Sequence, residues 1–193
     1  MSAPEFCLLR PFAPSDAPAL VALLNEATVQ QALTFGGGNW RFEYDDALRV
    51  IEEALTDRAK YVFAIEVRKD LAGGIAFELL HTACRSAVST SYWLSSRYWG
   101  RGIMPAALSE AMRHLFHQAP VTLIEARTSI QNRRSRRVLE KCGFTEQSNF
   151  SQVTTPFGLQ AAELVFRLRR EKLTTPLETF GNSGTGVRLI DSV

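Results

Sequence analysis

The residues whose types and spacing most clearly suit ligand binding form a glycine-rich turn at positions 97–105, Arg-Tyr-Trp-Gly-Arg-Gly-Ile-Met-Pro. The turn follows a predicted strand that ends at Leu94 and precedes a predicted amphipathic helix at residues 106–117. The first N–H groups of a helix lack partners inside it, and the helix dipole adds partial positive charge there. Gly100 and Gly102 let an oxygen-rich ligand approach the backbone closely. The turn therefore predicts a phosphate or pyrophosphate site, with a tight connection that binds nothing as the alternative.

A second polar block follows at residues 132–144, Asn-Arg-Arg-Ser-Arg-Arg-Val-Leu-Glu-Lys-Cys-Gly-Phe. Helical periodicity places Ser135 on the same inward face as Val138, Leu139 and Cys142. Its hydroxyl either bonds back to a carbonyl one turn earlier or serves as a proton donor in a site. Asn132 is suited to cap this helix. The pattern of arginines predicts a basic face on this helix. That face is either simply solvated, or binds a phosphate, or contacts RNA.

These two blocks together resemble the GCN5-related N-acetyltransferase (GNAT) family. The pattern R-x-x-G-x-G at a strand-to-helix junction resembles the family's acetyl-CoA pyrophosphate loop. The second block is similar to the N-x-x-S-x-R-V-L-E-K-x-G-F segment of the RimJ/RimL-like branch, which acetylates ribosomal-protein N-termini and related substrates. Leu9-Arg10-Pro11-Phe12 with Ser15-Asp16 resembles that branch's first strand and helix start. Arg134 departs from the pattern, since the branch has a small residue there.

The resemblance implies a set of site residues. Backbone N–H groups around the glycine turn would hold the pyrophosphate of acetyl-CoA, and the strand ending at Leu94 would polarise the thioester carbonyl. Ser135 would protonate the leaving thiolate. The expected cofactor-binding residues are Trp93, Leu94, Arg97, Gly100, Arg101, Gly102, Ile103, Met104, Asn132 and Ser135. The histidines have no metal-ligand spacing, and we expect no metal.

The acceptor amine must lose a proton, so a base is expected near it. Glu125 is the first choice, because it lies in a mostly apolar strand and the resembled branch has a glutamate at this position. Pairing with one of the many arginines is the alternative reading. Glu78, His81 and Tyr92 are further candidates.

The resemblance leaves two acceptor classes open, a small-molecule amine and a protein N-terminus. The segment 34–40, Thr-Phe-Gly-Gly-Gly-Asn-Trp, is either a plain connector or a lid over the acceptor. A non-catalytic module that binds or senses acyl-CoA is the alternative function. A homodimer is compatible with the resemblance, whereas nucleic acid and membrane are not expected partners.

Composition agrees with one globular domain: 193 residues, 46% hydrophobic, and a net charge of +2. The cysteines at positions 7, 84 and 142 are scattered, which is typical of free thiols in a reducing compartment. We find no signal-peptide pattern and no apolar run long enough to span a membrane, so the expected location is cytoplasmic.

The predicted fold is α/β (α+β) and GNAT-like: a mixed, mostly antiparallel sheet of six or seven strands with helices on both faces. The resemblance implies that the fourth and fifth strands splay to admit the pantetheine arm. We expect the acetyltransferase domain to occupy residues 1–173. Residues 174–193, rich in Gly, Ser and Thr, are expected to form a C-terminal extension.

Overall fold

The structure is a computed structural model that describes residues 6–33, 41–80, 86–154, 160–173 and 186–190. Its strands are β1 (Phe6–Arg10), β2 (Lys60–Val67), β3 (Asp70–Leu79), β4 (Ala87–Leu94), β5 (Leu123–Ser129), β6 (Thr145–Thr154), β7 (Gln160–Arg169) and β8 (Gly186–Leu189). Its α-helices are α1 (Ala17–Leu24), α2 (Ala27–Leu33), α3 (Tyr44–Thr56), α4 (Ile103–Gln118) and α5 (Arg133–Lys141). Short 3-10 turns occur at Pro14–Asp16, Ser96–Tyr98 and Arg170–Leu173.

The strands form one sheet in the order β6-β7-β5-β4-β3-β2-β1-β8. Neighbouring strands are antiparallel except for β4 with β5 and β1 with β8, which are parallel. The mixed, mostly antiparallel sheet is as predicted, but the predicted count of six or seven strands is wrong. The additional strand is β8, which lies within the segment expected to be an extension. Its Val187 pairs with Cys7 and its Leu189 with Leu9.

Helices cover both faces of the sheet, as predicted. In β2, Phe63 and Ile65 join the apolar cluster that contains the buried face of α4, whereas Ala64 between them joins the cluster that contains α1 and α3. This alternation is the period of two of a strand buried on both sides. The sheet is therefore the middle layer of a three-layer domain, with α4 and α5 on one side and α1 and α3 on the other.

Helix α4 begins at Ile103, earlier than the predicted start at Ala106. Pro105 lies within the first turn, as its type predicts, because its missing N–H has no helix partner at that position. Ile103 and Met104 are both buried, so the apolar stripe of α4 extends to its first residues. The earlier start brings the free N–H groups of the helix directly behind Gly102.

A charged triad links the start of the chain to β2. The Arg10 guanidinium donates two hydrogen bonds to Asp16, at 2.7 and 2.8 Å, and a third of 2.7 Å to Glu66. Burial opposes ionisation of Asp16, but the bonds from Arg10 and from the Ala13 N–H outweigh it and lower the pKa of Asp16. The triad fixes the turn that leads from β1 into α1.

Within the described residues there is neither a helix that could span a membrane nor a cluster of metal ligands. In that part of the chain no helix is long and apolar enough to cross a membrane. Nor do the described His, Cys, Asp and Glu residues form a group of three that could hold a metal ion.

Candidate functional site

A gap opens in the sheet where β4 and β5 separate. The two parallel strands pair from Ala87 with Leu123 up to Thr90 with Ala126, and the pairing stops there. Beyond this point β4 continues to Leu94 while paired only with β3 on its other side, and β5 continues while paired with β7. The gap between the two strand ends is the splay that the resemblance implied.

Backbone polar groups of β4 point into this gap. The Ser95 N–H donates to the Ala72 carbonyl over 2.8 Å, so the odd-numbered residues of β4 bond to β3. In an antiparallel pair the bonding direction alternates from residue to residue. The N–H and C=O groups of Tyr92 and Leu94 therefore point away from β3, towards the gap. The Leu94 carbonyl accepts a hydrogen bond of 2.8 Å from the indole N–H of Trp99.

Gly73 and Gly74 on β3 allow the end of β4 to lie close against the sheet. A Cβ atom on Gly73 would lie 2.4 Å from the Trp93 carbonyl oxygen, and one on Gly74 would lie 3.0 Å from the Trp93 indole nitrogen. Any larger residue at these two positions would displace Trp93 or its backbone. The glycine pair thus positions Trp93 at the edge of the gap.

The glycine turn joins the end of β4 to the start of α4. Gly100 and Gly102 have φ angles of +75° and +77°, in the left-handed region that favours glycine. Gly102 is the N-cap residue of α4, and a Cβ on Gly100 would meet nothing within 4 Å, so the surface there is open. The turn therefore presents the N–H groups of the first turn of α4 to an open surface at one end of the gap.

Cationic side chains surround this turn. The Arg97 and Arg101 guanidinium groups lie 4.8 and 5.6 Å from the centre of the buried Tyr98 ring. From the other side of the gap, Arg134 on α5 stacks 4.5 Å from the centre of the Trp99 ring. Arg97 also lies 3.7 Å from the Asp70 carboxylate, which offsets part of its charge. The helix N-terminus together with Arg101 and Arg134 keeps the mouth of the gap positively charged and suited to phosphate groups.

Ser135 faces the gap and contacts Tyr92. The two hydroxyl oxygens are 2.9 Å apart, and the Tyr92 hydroxyl also donates to the Ser135 carbonyl over 3.2 Å. Burial raises the pKa of the Tyr92 phenol, and the hydrogen bond with Ser135 offsets only part of this rise. The phenol is therefore protonated at neutral pH. Helical periodicity predicts the inward face for Ser135, but nothing in the sequence connects this serine to Tyr92.

Asn132 caps α5, as predicted. Its side-chain oxygen accepts a hydrogen bond of 3.1 Å from the Ser135 N–H. The cap holds the first turn of α5, and with it Ser135, in a fixed position relative to the end of β5. Its assignment as a cofactor-binding residue stays a prediction.

Glu125 is held by two arginines. Arg127 donates two bonds to one carboxylate oxygen, at 2.9 and 3.1 Å, and Arg167 donates two to the other, at 3.0 and 3.1 Å. The Glu125 side chain is 8% exposed, whereas those of Arg127 and Arg167 are 49% and 47% exposed. This geometry favours the alternative reading, in which Glu125 pairs with arginine, over a role as a base.

The other residues that the sequence places near the acceptor amine do not form a cluster in the described part of the chain. Glu78 is an exposed side chain 3.9 Å from the Lys60 ammonium. His81 and the segment 34–40 lie outside the described residues. A cavity of about 270 Å³ lies against the β4 face that packs on α1 and α3, with an apolar wall that includes Phe12 and Trp93 and with carboxylates at Glu53 and Glu78.

Comparison with known proteins agrees with this geometry. A curated relative, the "Probable N-acetyltransferase YjcK" of Bacillus subtilis (strain 168), is 32% identical over 99 residues, which cover 50% of this chain and 54% of that protein. The match thus spans about half the length of the curated relative.

Two solved structures share the fold. Mycobacterium smegmatis RimJ, in complex with CoA-disulfide, has a TM-score of 0.73 and 25% identity, with 86% of this chain and 82% of that chain covered. Vibrio cholerae spermidine N-acetyltransferase, in complex with CoA and spermine, has a TM-score of 0.71 and 15% identity, with 86% and 96% covered. Residues 7–145, which contain the glycine turn, the gap and the α5 serine, match the family described as "Acetyltransferase (GNAT) domain", so the chain belongs to the GNAT family.

Proposed function

We propose that this protein transfers the acetyl group of acetyl-CoA to a primary amine. The observation that carries the proposal is the gap between β4 and β5, because it joins a cationic helix N-terminus at its mouth to a hydroxyl pair inside. A coenzyme A thioester has a phosphate-bearing end and a thioester end. The positively charged mouth suits the phosphate-bearing end, and the backbone N–H groups inside the gap suit the thioester end. The family match and the CoA-bound relatives support the same donor.

The residues at the mouth fit a pyrophosphate. In our proposal the N–H groups from Arg101 to Met104 bind its oxygens, since they lie at the N-terminus of α4 and the surface beside Gly100 is open. Arg97 and Arg101 add charge, and Arg134 lies within the same positive field. No step of the chemistry depends on these residues, whose task is to bind and orient.

The residues inside the gap fit the reacting end of the donor. Bound acetyl-CoA supplies an acetyl thioester. The Leu94 N–H points into the gap, where it can donate to an oxygen that gains negative charge. Trp93 forms one wall of the gap. Ser135 can hydrogen-bond a sulfur that gains negative charge, and Tyr92, which keeps its proton at neutral pH, can replace the proton that Ser135 gives up.

The acceptor is a primary amine of one of two classes, a small molecule or a protein N-terminus. The small-molecule class is supported by the cavity beside β4, whose apolar wall suits the aliphatic part of an amine. Its two carboxylates, on Glu53 and Glu78, lie 3.8 and 3.9 Å from the Lys60 ammonium, which an acceptor ammonium would have to displace. The protein class is supported by the resemblance to the RimJ/RimL-like branch and by the similarity to RimJ.

Thermal unfolding with and without acetyl-CoA tests the donor site. A ligand at 100 times its dissociation constant stabilises the native state by about 2.7 kcal/mol, which corresponds to roughly 5–10 °C for a protein of this size. We expect Gly102→Ala to lose most of this shift, because alanine disfavours the φ of +77°. Gly143→Ala is the matched control for backbone strain, because Gly143 also has a positive φ, of +83°, but follows the end of α5 and supplies none of the proposed phosphate-binding N–H groups.

Thiol release from acetyl-CoA with a panel of amines tests the transfer. The panel contains butylamine, spermidine and short peptides with amino-terminal serine or alanine. Thiol release that requires one of these amines supports the proposal and identifies the acceptor class. A protein that is stabilised by acetyl-CoA yet releases no thiol with any of them would instead be a non-catalytic acyl-CoA-binding module. No stabilisation at millimolar acetyl-CoA would refute the donor site.

A further inference from the structure

A second buried carboxylate lies one strand beyond the gap, on β7, which the proposed function does not use. Glu163 is on β7, in register with Ser129, the last residue of β5. The residue is 6% exposed. A glutamate among the apolar residues of a strand is the same signal that drew attention to Glu125, yet Glu163 is not among the residues expected at the site from the sequence.

Strand register places Glu163 at the level of the proposed reaction. Trp93 and Ser129 each lie three residues past the last paired position, which is Thr90 with Ala126, so they face each other across the open gap. Glu163 is the direct neighbour of Ser129 on the next strand. It therefore lies at the depth of Trp93 and Leu94, where the thioester is proposed to lie, rather than deeper in the paired part of the sheet.

Glu163 also faces the side of the sheet from which an acceptor would arrive. Side chains alternate along β5, so Ser129 shares a face with Glu125, whose register partner on β4 is Ser89. Ser89 and Trp93 line the cavity beside α1 and α3. Glu163, paired with Ser129, projects to that same face, opposite to α4 and α5.

The charges around Glu163 differ from those around Glu125. Glu125 receives four guanidinium hydrogen bonds, two on each oxygen. Among the described residues, Arg127 is the charged group that acts on Glu163, while its register partners are Ser129 on β5 and Ser151 on β6. Burial raises the pKa of Glu163, and Arg127 offsets only part of the rise. A carboxylate that is buried and lightly paired accepts a proton more readily than one held by two arginines.

From this geometry we infer that Glu163, and not Glu125, is the base that takes the proton from the acceptor ammonium. The inference rests on the proposed acetyl transfer and deepens it. The acceptor nitrogen gives up two protons in all. One passes to the Glu163 carboxylate and then to solvent, which makes the nitrogen electron pair available for the new bond to the acetyl carbon. As the carbon–sulfur bond breaks, its electron pair leaves with sulfur, which takes a proton from Ser135, and Ser135 takes one from Tyr92. The second proton leaves the nitrogen of the tetrahedral intermediate to solvent, and solvent returns one proton to Tyr92, so the net products are the amide, the free thiol and one released proton.

The pH dependence of kcat in wild-type protein and Glu163→Gln tests this role, with the most active amine of the panel as acceptor. A base must be ionised to work, so the wild-type rate should rise with pH along an acidic limb. The midpoint of this limb should lie above about 4.3, the ordinary pKa of glutamate, and far below the pKa of the amine. In Glu163→Gln we expect kcat to fall by about 10²–10⁴-fold and the limb to disappear.

Two controls separate this role from a structural one. Glu52→Gln, on the exposed side of α3, should keep the wild-type rate and limb. Glu163→Asp should retain the limb with a reduced rate, because a carboxylate remains at a slightly greater distance. The acetyl-CoA shift in unfolding temperature should be the same in all three variants.

Each outcome has a distinct meaning. A Glu163→Gln variant with the wild-type rate and limb would overturn the inference and leave the proposed function intact. If the kcat of the wild-type protein shows no acidic limb below the pKa of the amine, the inference about Glu163 is wrong, whatever the variants show. A wild-type protein that transfers acetyl to no amine would overturn the proposed function, and the role of Glu163 with it.

Discussion

Replacing Glu125 with glutamine should destabilise the protein without removing its base. The substitution takes one negative charge from between two guanidinium groups that now donate four hydrogen bonds of 2.9–3.1 Å to it. Glutamine has one oxygen to accept from Arg127 or Arg167, and its NH₂ group faces the other arginine as a second donor. One guanidinium therefore loses its partner, and the two positive charges repel.

The size of the loss follows from the burial of each partner. Removing one partner from a fully buried ion pair costs about 3–5 kcal/mol. Here the carboxylate is 8% exposed but the arginines are 49% and 47% exposed, so water screens the charges that remain. We expect a loss of about 2 kcal/mol in the free energy of unfolding, between the buried and the surface range. For a protein of this length that lowers Tm by roughly 4–8 °C.

Urea unfolding of four proteins measures this effect: wild type, Glu125→Gln, Arg167→Gln and the double variant. The double-mutant cycle isolates the interaction between the two side chains, which we expect to be about 1–2 kcal/mol for residues in direct contact. Glu52→Gln removes a similar charge from an exposed helix position and should change stability by less than about 0.5 kcal/mol.

One result would refute the reasoning. If Glu125→Gln kept the wild-type stability but lost more than a hundredfold in kcat, with the acidic limb gone, then Glu125 would be the base. The arginine pairs would then be incidental to the fold, and the role assigned to Glu163 would be wrong as well.

Three further changes should have measurable effects. Gly73→Ala places a Cβ atom 2.4 Å from the Trp93 carbonyl oxygen, so we expect a loss of about 1–3 kcal/mol in urea unfolding. Tyr92→Phe removes the hydroxyl bound to Ser135 and should lower kcat about tenfold or more while KM for acetyl-CoA is unchanged in steady-state kinetics. Because folding lowers the pKa of Asp16, its ionised form stabilises the protein above about pH 4, and that stability is lost as pH falls. Asp16→Asn should therefore destabilise at pH 7 and flatten the acid side of a stability–pH curve.

Features that depend on neighbouring residues are predictable from the sequence. The β4 strand ends at Leu94 as predicted, and Asn132 caps α5 as predicted, because both follow from neighbouring residues. The start of α4 was misjudged by a few residues, since Pro105 is compatible with either side of a helix start. The role of Gly73 was missed because its constraint, the Trp93 carbonyl, comes from the next strand.

The side-chain pairs that define the site are harder to predict from the sequence. Ser135 was placed on the correct face, but its partner Tyr92 lies 43 positions away, and only the packing of α5 against the end of β4 joins them. For Glu125, one partner was within reach of the sequence, because Arg127 follows two residues later on the same face of a strand. The other, Arg167, depends on the register between β5 and β7.

The pairing of β8 with β1 has a consequence for how the chain folds during synthesis. The contact between Cys7 and Val187 closes a loop of some 180 residues, so β1 cannot acquire this neighbour until nearly all of the described chain has left the ribosome. Until then the N–H and C=O groups along the outer edge of β1 are available to any other extended chain. Nascent chains that stop short of β8 are therefore expected to associate through β1, and late synthesis is the stage at which the protein most needs a chaperone.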